Sequence, residues 1–118
     1  MIRLVLAAVV LSAAPARAEE AVALPTGFDG VYATEGLACD GLGRVEVADG
    51  LMVGAEFAIT VTDLIEVPGE PNKVEATLLN EAGGGSWTDS AVLTLSEDTQ
   101  ALRFDYPDGT VTVWMRCG

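Results

Sequence analysis

From Gly30 to Cys117, apolar side chains recur at every second position, and pairs of turn-forming residues cut the runs that carry them. A period of two puts neighbouring side chains on opposite faces of an extended strand; a helix would need spacings of three and four. No segment keeps the helical spacing over three turns. Strands with one apolar and one polar face bury a single side, as antiparallel sheets do.

Gly30-Val31-Tyr32-Ala33 reads as a first short strand, followed by a glycine-rich loop around Cys39-Asp40-Gly41-Leu42-Gly43. Arg44 to Val47 alternates, Asp49-Gly50 is a hairpin turn signal, and Leu51-Met52-Val53 continues beyond it. After a bend at Gly54-Ala55, Phe57, Ile59 and Val61 share one face of a strand that reaches Val67. Pro68 to Asn72 should stop that strand, with a return from Lys73 to Asn80 that aligns Val74, Ala76 and Leu78. Gly83 to Gly85 is expected to be a flexible connection. Ser86 to Ser96 follows, with Trp87, Ala91, Leu93 and Leu95 on one face. Leu102, Phe104 and Tyr106 align next, Pro107-Asp108-Gly109-Thr110 turns, and the last strand sets Val113, Met115 and Cys117 against Thr112, Trp114 and Arg116. The fold class is all-β: an antiparallel meander of seven or eight strands, expected to form a closed or nearly closed barrel. A β-sandwich is the alternative. Closure removes exposed edges, which favours the barrel.

The N-terminus has a different character. Met1-Ile2-Arg3 carries one positive charge, Leu4 to Ala14 is apolar except for Ser12, and Ala16-Arg17-Ala18 has the small residues that a signal peptidase reads. The apolar run is shorter than the roughly 20 residues a bilayer span needs. We therefore expect a cleavable signal peptide over 1–18, a flexible leader over 19–27 and a single β domain over 28–118, delivered to the periplasm or, alternatively, to the medium. Without the signal, the six basic residues become Arg44, Lys73, Arg103 and Arg116, while all 18 acidic residues stay, a net charge of −14. Such a surface disfavours nucleic acid and anionic lipid and favours a cationic partner. It also keeps a small exported protein soluble.

Cys39 and Cys117 are the only cysteines, and an exported chain is expected to pair them. Closing a loop of about 80 residues stabilises a fold by roughly 4 kcal/mol in the chain-entropy account. The chain has no histidine, which removes Ser-His and Cys-His nucleophile pairs and leaves two thiolates as a poor zinc site. No enzyme activity, cofactor or metal is expected. The Asp-rich loops at Asp40, Asp98 and Asp105 to Gly109 lack calcium-loop spacing and read as turn chemistry. Trp114, Arg116 and Tyr32 are the candidate partner-binding residues. In the expected phase of the last strand Trp114 faces outward beside Arg116, and exposed tryptophan is common at binding surfaces. Cover by the leader or by the Cys39 loop is the alternative for Trp114. Trp87, in phase with Leu93 and Leu95, is expected in the core.

The apolar leader at Met1 to Ala18, the meander from Gly30 to Cys117, and the closing Val113-Trp114-Met115-Arg116-Cys117 together resemble the small periplasmic β-barrel and lipocalin-like proteins of Gram-negative bacteria. That group includes lysozyme and metalloprotease inhibitors. The resemblance is one of architecture over nearly the whole exported chain, without an inhibitory loop that matches residue by residue. The net charge of −14 on a compact, bridged scaffold leads us to expect a protein-binding module of the cell envelope, in the manner of an inhibitor of a cationic hydrolase. A small-ligand carrier using the barrel interior is the alternative.

Overall fold

The computed structural model describes residues 20–118, so the expected signal peptide lies outside the described residues. Eight strands run as an antiparallel meander and close into a barrel. They are β1 (Gly30–Ala33), β2 (Arg44–Ala48), β3 (Leu51–Val53), β4 (Phe57–Val67), β5 (Glu70–Ala82), β6 (Gly85–Leu95), β7 (Ala101–Asp105) and β8 (Val111–Arg116), with one 3₁₀ turn at Gly41–Gly43. The barrel expected from the alternation is the one observed.

Alternation sets which side chains go inside. Val45 and Val47 of β2, Val74, Ala76 and Leu78 of β5, and Ala91, Leu93 and Leu95 of β6 are all buried, each set spaced by two. Cross-strand partners face the same side of a sheet. Val61 opposite Leu78 and Leu93 opposite Phe104 therefore meet in one core.

The long strands β4, β5 and β6 exceed their neighbours. Their hairpins are tighter than the sequence suggested, because Val67 already pairs with Glu70 and Ala82 with Gly85. Pro68–Gly69 alone makes the first turn, and Pro71 is accommodated within β5 beside a register shift at Glu66/Val67. Gly83 and Gly84 make the second turn with φ of 60° and 82°, the pair of positive values that a two-residue hairpin of matching twist requires. The expected flexible glycine connection is a tight turn.

Of the flexible leader expected over 19–27, the described residues, from Glu20 onward, are partly seated on the barrel. Val22 N–H donates to Val61 O at 2.8 Å and Leu24 is buried; Phe28, just after the leader and 1% exposed, plugs the barrel end. A Cβ on Gly50 would stand 2.3 Å from Val22 O, so the Asp49–Gly50 turn is glycine both for its φ of 82° and for this close approach.

Closure is the weakest part of the ladder. β1 and β8 share two register pairs, Tyr32 with Arg116 and Ala33 with Met115, whereas the ladder from Phe57 to Val67 runs along the whole of β4. The Cys39–Cys117 disulfide spans this seam, with Cα atoms 5.8 Å apart. A formed bridge is the state that an oxidising compartment maintains.

Candidate functional site

Tyr32, Trp114 and Arg116 do not form an exposed surface, which corrects the sequence expectation. Trp114 is 5% exposed and Met115 51%, the reverse of the expected phase. The reason is register. Leu102 and Phe104 of β7 point inward, and their partners on β8 are Trp114 and Thr112, which must point the same way. Trp114 then packs 4.5 Å from the Phe104 ring and 6.1 Å from the Phe57 ring, measured between centroids. Neither the leader nor the Cys39 loop is needed to cover it.

Arg116 follows in the same phase and sits half-buried at the opposite barrel end from Trp87. Its guanidinium donates to Gly27 O, Asp29 O, Thr99 O and the Tyr32 hydroxyl, and it lies 4.8 Å from the Tyr32 ring centre. The Tyr32 hydroxyl donates in turn to Phe28 O at 2.7 Å. Burial pushes the Tyr32 pKa up, and the Arg116 charge partly opposes it. These two residues hold the leader and the β7 approach in place.

The exposed aromatic is Trp87, at the other mouth. It keeps the inward phase of Leu93 and Leu95, but β6 outruns β7, which ends at Asp105, so Trp87 clears the core and is 49% exposed. Its indole N–H donates to Asp89 Oδ2 at 3.2 Å, and the buried Asn80 amide donates to the same oxygen at 3.3 Å. Asn80 lies opposite Trp87 in the ladder. Tyr106, stacked at 6.3 Å on Phe104, completes the rim, and its pKa is raised by burial and secondarily by the Asp89 charge. A cleft of about 380 Å³ separates Asp89 from the turn at Tyr106, Pro107, Asp108 and Thr110.

This mouth joins aromatic faces to carboxylates. Asp89 and Asp108 line the cleft, and Glu56 and Glu81 flank the same end, just before β4 and near the end of β5. Among the described residues, Arg44, Lys73 and Arg103 are paired with Glu46, Glu70 and Asp105, and Arg116 is held by backbone carbonyls and Tyr32. The excess carboxylates therefore have no internal cation. An ammonium or guanidinium presented to this rim would meet both an indole face and a carboxylate. Among the described residues, no group of three His, Cys, Asp or Glu side chains is placed to hold a metal ion. Asp98 accepts from the Ser96 hydroxyl and the Gln100 amide, and Asp108 from the Thr110 amide, which is turn chemistry.

Sequence reasoning missed this rim. The available signal was Asp89, a carboxylate in the apolar phase of β6, two residues from Trp87. Compared with protein-family models, with curated proteins and with solved structures, the chain matches none of them.

Proposed function

We propose that this protein is an exported, protein-binding module of the bacterial cell envelope, working in the periplasm, which captures a cationic partner of the basic-hydrolase class at the Trp87–Asp89 rim. The observation that carries the reading is Trp87, half-exposed and fixed by Asp89 at an acidic barrel mouth. Charge complementarity of this kind speeds encounter and selects partners, and it weakens as salt rises. Tyr32, Met52, Leu78, Leu93, Leu102 and Phe104 fill the interior with no exposed surface, which weighs against a small-ligand carrier.

The test is inhibition of a lysozyme by the purified protein in a cell-wall lysis assay. We expect slower lysis at low ionic strength, with the effect lost at high salt and weakened by Trp87→Ala. Undiminished lysis at molar excess, together with no heat of binding by calorimetry, would overturn the reading.

A further inference from the structure

We propose that the free edge of β6, from Gly85 to Ala91, is a docking strip on which a partner protein adds an extended, basic segment as a further strand. This deepens the reading of the protein as a binding module and rests on it.

β6 is paired on one side along nearly its whole length, from Gly85 opposite Ala82 to Thr94 opposite Lys73. On its other side the ladder to β7 covers only Val92 to Leu95. The remainder is an edge of roughly 20 Å at about 3.4 Å per residue. The direction of its backbone groups follows from the turn. Ser96 N–H donates to Ala101 O across the β6–β7 connection, and Ala82 and Gly85 close a two-residue hairpin. Backbone groups alternate sides along a strand, so both ends of β6 give the same answer: the amides and carbonyls of Ser86, Thr88 and Ser90 point away from β5. Among the described residues no strand lies on that side of them. Such a row is a template for strand addition, in which main-chain hydrogen bonds supply affinity and alternate side chains supply specificity.

The cleft between Asp89 and the Tyr106–Thr110 turn leaves room beside this edge. Inward-facing side chains of an added strand would come against Trp87 and Asp89, the inward-facing residues of this stretch. Asp89 Oδ2 accepts from two neutral donors, so the carboxylate keeps its charge available for a lysine or arginine. The same charge opposes a second copy of the exported chain, which would bring its own Asp89 and a net charge of −14. On the other overhanging strand, β4 beyond Thr60, Val22 of the leader covers the first position by donating to Val61 O, and the stretch that follows, Thr62 to Val67, carries no tryptophan–carboxylate pair to receive a basic segment.

The test uses a capped heptapeptide in which lysine alternates with valine and threonine, and its glutamate counterpart, titrated into the isotope-labelled protein at low salt. We expect the lysine peptide to slow amide exchange at Ser86, Thr88 and Ser90 about tenfold or more and to shift the Trp87 indole resonance. Asp89→Asn should weaken it about 5- to 10-fold, one charge-assisted contact. Thr88→Pro removes one free-edge donor without touching the β5 ladder and should abolish binding. If that variant does not fold, exchange in the wild-type protein still decides. Protection elsewhere, equal binding of the glutamate peptide, or concentration-dependent protection without peptide, meaning a second copy, each overturns the proposal. Lysozyme bound with protection outside Gly85 to Ala91 overturns the strip and leaves the binding-module reading standing. Peptide protection without any lysozyme inhibition overturns the hydrolase partner and leaves the strip standing.

Discussion

Arg116 Nη2 stands 2.8 Å from the Tyr32 hydroxyl, so the first and last strands of the barrel are joined by side chains as well as by their two-pair ladder. Because the hydroxyl also donates to Phe28 O, the contact extends to the segment that plugs the barrel end. Arg116→Met should destabilise the fold by about 2–3 kcal/mol and Tyr32→Phe by about 1–2 kcal/mol, with the double variant losing less than the sum. Urea unfolding of the four proteins measures this. Strict additivity would mean the two groups are not coupled.

Alkali should act through the same phenol. The folded-state pKa of Tyr32 is raised above its ordinary value, chiefly by burial, and that of Tyr106 likewise. The stabilisation from a raised pKa is fully present below the unfolded value of about 10 and is lost as pH rises through the folded value. Stability should therefore be flat across neutral pH in this respect and fall above about pH 10. Tyr32→Phe should flatten part of that fall. Ultraviolet titration of tyrosinate alongside thermal melts checks it; two tyrosines ionising normally while the fold persists would contradict it.

Reduction of the Cys39–Cys117 bridge should open the barrel at one place. The sequence separation is 78 residues, which corresponds to about 4 kcal/mol in the chain-entropy account. Since the β1–β8 ladder is only two pairs long, its amides should lose exchange protection before those of the β4–β5 ladder in the Cys39→Ser, Cys117→Ser protein. Uniform loss of protection across all strands would show that the seam is no weaker than the rest.

The two tryptophans should separate stability from binding. Trp114→Ala removes an indole packed on Phe104 and Phe57 and should cost about 3–5 kcal/mol. Trp87→Ala, at an exposed rim, should change stability by less than about 1 kcal/mol while weakening partner binding. Fluorescence quenching by acrylamide should reach one indole in the wild-type protein and none in Trp87→Phe.

How far the fold can be read from the residues alone depends on whether a strand has one apolar face or two. Val74-x-Ala76-x-Leu78 has one, and its inward phase is plain. β8 has apolar residues at Val113 and Met115 on one side and Trp114 on the other, so its own pattern is ambiguous, and the choice is made by β7 through Leu102 opposite Trp114. Arg116 could not be read as an inward residue because its acceptors, Gly27, Asp29 and Thr99, are backbone carbonyls from distant loops. The turns at Asp49-Gly50 and Pro107-Asp108-Gly109 and the cysteine pairing were legible, since local backbone demands and an even cysteine count decide them. Trp87 has the phase of a core residue; only the relative lengths of β6 and β7, a tertiary property, carry it into solvent.

The position of the covalent bridge has a mechanical consequence. Cys39 follows the first strand and Cys117 the last, so β2 to β8 lie inside one closed ring of chain. Tension applied from before Cys39 to beyond Cys117 passes directly through the sulfur–sulfur bond and bypasses β2 to β8. Under such tension β1, which lies outside the ring, is the strand that yields, while the strands inside it carry no load.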